Sequence, residues 1–219
     1  MQEKIQIISD GSLDLSRELT RERDILVVPF YVSFDGETYL KEGVELDIRE
    51  FYQRMVDHPD VFPKTSVDDY YQVFLPLAKQ DVPMICICIT TKFSGSMQSA
   101  TTARDMILEE YPKARITVID AEINTVLQGL YVLEACRLRD LGWEYDRMVE
   151  RLLAIRESGR IFFTIGNIDY LKHGGRIGKV MGIAGSALKI KPLITLKEGE
   201  IFASGIARSR EKSMQKVIE

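Results

Sequence analysis

Three short stretches carry the residue types that could do chemistry. The first is Thr90-Thr91-Lys92-Phe93-Ser94-Gly95-Ser96, where an apolar run ends and a helical pattern begins. At such a strand-to-helix handover, free backbone N–H groups and the positive end of the helix dipole favour an anion. Ser94 adds a hydroxyl able to donate to a carboxylate oxygen, and Gly95 lets a ligand approach the main chain. The plain alternative is that Ser94 or Ser96 only N-caps the helix. The second stretch is Pro63-Lys64-Thr65-Ser66, two adjacent hydroxyls ahead of Asp68 and Asp69. It too could be a simple N-cap, and a ligand role requires this loop to fold over the Ser94 crevice. The third runs from Leu171 to Gly178, where Gly174 and Gly175 permit a tight turn that can aim Arg176 outward.

From Tyr170 to Lys197 the chain carries Lys172, Arg176, Lys179, Lys189, Lys191 and Lys197, with no acid between them. In an acidic chain such a one-sided stretch suits phosphate or an acidic partner surface, or else forms a solvated basic face. Several activities lack their signatures. There is no GxxxxGK[ST] phosphate loop, no GxSxG around Ser94, and no GxGxxG in the first turn, Ser9-Asp10-Gly11-Ser12-Leu13-Asp14. His58 and His173 are the two histidines, and no metal-ligand cluster is visible, so no metal and no cofactor are expected. Cys86 and Cys88, two apart within an apolar run, would share one face of a strand. We read them as small buried hydrophobes in a reducing compartment rather than as redox or metal groups. The chain is therefore read as a binding protein and not as an enzyme.

The elements that must position these residues follow from pattern. The chain has 219 residues, 45% hydrophobic and 28% charged, with net charge −4, which gives no whole-molecule reason to expect nucleic acid. No apolar run reaches the roughly 20 residues needed to span a bilayer, and the N-terminus lacks a secretory core, so the expected location is cytoplasmic. Strands are expected at 4–9, 25–34, 82–90, 114–120 and from 160. Pro29 argues for an edge or a break in the second. The run 82–90 is apolar throughout, as in a strand covered on both faces. Helices are expected after each handover, including 48–58, 97–110 and 143–159, with Asp47 and Gly159 as caps. Strand–helix alternation implies an α/β fold: an N-terminal three-layer α/β/α domain with a mainly parallel sheet, residues 1–158. A second, smaller α/β domain, 159–219, follows with a hairpin across Lys197–Glu200. Its last helix stops without a capping signal, and the domain is expected to be incomplete.

Taken in order, several blocks resemble the DegV family along essentially the whole chain. The opening strand with Ser-Asp-Gly-Ser is similar to that family's Asp-Ser/Thr turn, and the segment from Val27 to Met55 to its second block. Pro63-Lys64-Thr65-Ser66 resembles its Thr-Ser loop and Lys92-Phe93-Ser94-Gly95-Ser96 its Phe-Ser-Gly loop. Gly174-Gly175-Arg176-Ile177 and Lys191-Pro192 resemble its later blocks. The chain departs from the pattern at Val67-Asp68-Asp69 and at Asp120-Ala121-Glu122. It also lacks the final section that supplies a histidine near the head group in longer members. The resemblance implies two α/β domains with a long-chain fatty acid such as palmitate between them. It implies a carboxylate held by Thr65 and Ser94, with Gly95 and Ser66 completing the set. It also implies presentation to a separate fatty acid kinase subunit, with Arg176 on the phosphate or partner side. Two other readings stay open. One is a small-molecule kinase subunit of the dihydroxyacetone-kinase type, which would attach its substrate through His173. The other is an interaction protein using the basic stretch 172–197.

Overall fold

The computed structural model describes residues 4–58, 60–166, 168–177, 180 and 190–219. Lys179 and Lys189 of the basic stretch lie outside them. The centre is a four-stranded sheet of β1 (Gln6–Asp10), β2 (Ile25–Val28), β6 (Met84–Cys88) and β7 (Ile116–Asp120). Its order is β2-β1-β6-β7 and every pairing is parallel. The second predicted strand is broken at Pro29 and Phe30. Ile25–Val28 becomes the sheet's edge, and β3 (Tyr31–Ser33) leaves to pair with β4 (Leu40–Lys41) and β5 (Phe62–Lys64) in a small antiparallel sheet. Proline cannot donate to a ladder, which accounts for the break.

Alternation along the strands divides the core into two layers. Ile8, Met84, Cys86 and Cys88 pack with Tyr70 and Phe74 of α3 (Val67–Ala78) and Ala100, Ala103 and Ile107 of α4 (Ser96–Glu110). Ile7, Ile85, Ile87 and Ile119 pack on the opposite face with α5 (Thr125–Asp140) and α6 (Tyr145–Ile155). Each fully buried side chain of this size contributes roughly 1.5–3 kcal/mol of transfer free energy. The two smaller helices before them are α1 (Arg17–Glu22) and α2 (Ile48–Asp57). Cys86 and Cys88 do share a face, with their Sγ atoms 3.8 Å apart, and all three cysteines are buried and free.

Beyond α6, β8 (Ile161–Thr164), α7 (Asp169–His173), β9 (Lys191–Lys197), β10 (Glu200–Ala207) and α8 (Arg210–Ile218) follow. The strands form an antiparallel sheet of order β10-β9-β8, including the expected hairpin. Its Ile194, Leu196 and Ile201 join the same apolar cluster as α5 and α6. Two expectations need correcting, and one element went unread. The segment around Phe62 is a short strand, not a loop, because β3 offers it a partner. The 169–173 helix was not foreseen. Gly159 is no C-cap: α6 ends at Ile155, and Gly159 instead leaves room for Leu127, which a Cβ there would strike. Among the described residues no helix is long and apolar enough to cross a membrane.

Candidate functional site

In open parallel sheets ligands collect beyond the carboxyl ends of neighbouring strands whose connections leave to opposite faces. Here those strands are β1 and β6. The connection after β1 opens with a 3-10 turn, Gly11–Leu13, packed against α5, before the short α1, whereas that after β6 leads into α4 on the other face. A buried polar network joins the two strand ends. Asp10, fully buried, accepts from Ser12 N–H and O–H and from Gln128 Nε2 at one oxygen. At the other it accepts from Ile89 N–H at 2.8 Å and Ser96 O–H at 2.6 Å. Tyr70 Oη lies 2.6 Å from the same Ser96 oxygen, and burial holds the phenol well above its ordinary pKa. Asp120, at the end of β7, binds Thr91 O–H at 2.6 Å from the far side of the loop. The segment 89–96 is thus held at both ends by Asp10, with Asp120 a second anchor near its start.

Above this platform lies a cleft of about 390 Å³, inside the roughly 300–1,000 Å³ range of small-molecule sites. Phe30, Val61, Pro63, Ile89 and Phe93 supply apolar walls. Thr65, Ser94, Gly95 and Arg176 supply the polar part; Lys64 also lines the cleft, with its ammonium resting over the Tyr39 ring. The two predicted loops do meet: a Cβ added at Gly95 would sit 3.9 Å from Thr65 Oγ1. Thr65 Oγ1 is 2.7 Å from Ser99 Oγ, one turn into α4. Ser94 Oγ accepts the Ser96 N–H at 3.2 Å, a local turn, while the cap position itself is Gly95 with no side-chain bond. Ser66 stands apart from the cleft walls. It N-caps α3, accepting from Asp69 N–H at 3.1 Å, which was the plain alternative for that residue. Lys41 Nζ reaches Asp69 at 2.9 Å and ties the small β3–β5 sheet to the first turn of α3.

Arg176 reaches the cleft from the later part of the chain. Its Nε donates to Phe93 O at 2.9 Å, and its guanidinium also meets Gly174 O. His173 turns toward Asp60, Nδ1 to Oδ1 3.1 Å, at a half-exposed position. Among the described residues no group of three or more His, Cys, Asp or Glu could hold a metal ion. A larger groove of about 620 Å³ lies on the other side of Phe30, with Leu15, Val44 and Ile48 in its walls. Burial raises the pKa of its Asp14 carboxyl, and burial plus the nearby Asp14 charge raises that of Glu42. Sequence reasoning missed Tyr70 and Ser99 entirely and saw Asp10 only as turn chemistry. A lone Gln128 on an otherwise apolar helix face was the available hint.

A family profile described as "Uncharacterised protein, DegV family" matches residues 4–219. The chain belongs to the DegV family. A DegV domain-containing protein of Caldanaerobacter subterraneus is 33% identical over 99% of this chain and 76% of its own length. Among solved structures, a stearic-acid-binding protein from Eubacterium ventriosum superposes with TM-score 0.92 at 46% identity. It covers 98% of this chain and 74% of that one. A DegV protein from Thermus thermophilus, described for its fatty acid binding, gives TM-score 0.85 at 29% identity over 100% and 76% of the two chains. These DegV structures share the α/β architecture with its mainly parallel central sheet.

Proposed function

We propose that this chain binds one long-chain fatty acid, head group at Thr65, Ser94 and Gly95, and presents that carboxylate to a partner kinase rather than reacting with it. The observation that carries this reading is the meeting of the two hydroxyl loops at the polar end of an apolar cleft. The stearic-acid-binding relative supports the ligand class. Magnitudes favour a division of labour. A dozen buried methylenes contribute roughly 10 kcal/mol gross, whereas two neutral hydrogen bonds add about 1–3 kcal/mol net. Affinity therefore comes from the walls, and Thr65 with Ser94 selects the carboxylate end. Arg176, held against the Ser94 loop through Phe93 O, is the group we assign to the phosphate or partner side. The three buried free thiols suit a reducing compartment such as the cytoplasm.

The test is mass spectrometry of the purified, denatured protein, with palmitate binding measured on delipidated material. Recovery of long-chain acids near one per chain is expected. Repeated absence of lipid, together with no uptake of added palmitate, would sink the reading. Phosphorylation of the bound acid on adding a fatty acid kinase and ATP tests the presenting role separately.

A further inference from the structure

The hydroxyls at and behind the polar end of the cleft fall into two sets, Tyr70–Ser96–Asp10 beside Ser94, and Thr65–Ser99. A hydroxyl has one proton to give. Ser96 gives its proton to Asp10 Oδ2, so Tyr70, 2.6 Å from the same oxygen, must donate to Ser96. The Ser96 N–H is spent on Ser94 Oγ. Ser94 therefore receives from inside the protein and keeps its own proton for the cleft. Thr65 is the undecided member. Its Oγ1 lies 2.7 Å from Ser99 Oγ, and either oxygen could donate. Ser99 is 9% exposed, and its hydroxyl has no other partner among the described residues.

The two directions build different sites. If Thr65 donated to Ser99, it would show only lone pairs to the cleft, beside the proton of Ser94. Such a mixed pair fits a neutral head group that both gives and accepts. If Ser99 donates to Thr65, both hydroxyls show protons, which fits an acceptor-only anion. Arg176 in the cleft walls adds positive charge that favours the anion and hence the second arrangement. Chained hydroxyls also polarise one another, which strengthens the terminal donor.

We infer that Ser99 is a positioning residue that sets head-group specificity: by donating to Thr65 Oγ1 it turns the Thr65 proton into the cleft beside that of Ser94, so that the pair accepts a carboxylate in preference to an alcohol or ester of the same chain. This rests on the fatty acid reading above. Ser99 itself stays behind Thr65 and need not touch the ligand.

The experiment compares wild type, Ser99→Ala, Ser99→Thr and Thr65→Val, and the Thr65→Val/Ser99→Ala double variant. Palmitate and hexadecanol affinities are measured by displacement, and the bound head group is followed by carbon-13 NMR of carboxyl-labelled palmitate against pH. Ser99→Ala removes one oxygen at a helical position where alanine is well tolerated. It is expected to weaken palmitate by about three- to tenfold and leave hexadecanol unchanged, with Ser99→Thr restoring wild-type behaviour. In wild type the bound carboxyl is expected to titrate below the ordinary range near about 4.3, and in Ser99→Ala higher. In the Thr65→Val background the Ser99 change should no longer alter the palmitate-to-hexadecanol ratio. Equal losses for acid and alcohol, or an unchanged ratio and titration in Ser99→Ala, overturn the inference while the fatty acid reading stands. Wild-type protein that takes up no palmitate overturns both.

Discussion

Asp10 concentrates more polar dependence than any residue in the cleft walls. Its side chain is fully buried and receives five donors, from Ser12, Gln128, Ile89 and Ser96. Removing it strands several of these at once, and each unsatisfied buried group costs about 1–3 kcal/mol. Asp10→Ala is therefore expected to lower stability by about 3 kcal/mol or more in a denaturant titration with an unchanged m-value. A loss under about 1 kcal/mol would show that the network is dispensable. Cys136 makes a pH prediction at the same scale. Burial pushes its thiol up to about 11, above the about 8.5 of an unfolded chain. The unfolded state then ionises first, so this contribution is complete below about pH 8.5 and is lost between there and about 11. Alkylation of native protein at pH 8 should leave Cys136 unmodified, and labelling on unfolding should be rapid. Ser94 stood out at its strand-to-helix handover and Thr65 as one of two adjacent hydroxyls, while their pairing on one head group came from the family blocks. The roles of Ser99 and Asp10 were not legible, because their partners lie 34 and 86 positions away.

At the scale of elements, the close approach of α5 to the turn after β1 depends on Gly129. A Cβ there would strike Leu13 O and the Leu15 side chain. Glycine in a helix interior ordinarily costs about 1 kcal/mol relative to alanine, so the naive expectation for Gly129→Ala is stabilisation. The reverse is expected here: a lower melting temperature, with α5 forced off the 3-10 turn whose Asp10 anchors the site. A stabilised Gly129→Ala would contradict the packing. Which elements could be read beforehand follows the same logic. The strand 84–88 and helices 48–57 and 96–110 announce themselves through local pattern and caps, as Asp47 does by accepting from Arg49 and Glu50 N–H. The strand Phe62–Lys64 does not, since it is exposed, contains proline and exists because β3 is beside it.

On the scale of the whole molecule, a division near residue 158 is our proposal for the chain's organisation, supported by the separate sheet β10-β9-β8 that the later residues form. The two parts nevertheless share apolar contacts. Ile194, Leu196 and Ile201 belong to the cluster that contains Ile85, Val132 and Leu152. Thr90 O–H donates to Gly199 O at 3.0 Å where the β9–β10 turn meets the end of β6. A shared core of this kind should melt as one unit, so calorimetry is expected to show a single transition with matching calorimetric and van't Hoff enthalpies. Two resolved transitions would mean that the parts fold separately. The pairing of α3 with α4 has a mechanical consequence. Thr65 and Ser94 ride just ahead of these two helices, like the tips of a caliper whose arms are clamped along Tyr70, Phe74, Ala100 and Ala103. The gap between the two tips is then gauged deep in the core, and a volume change at Ala103 should widen the jaws without altering either tip.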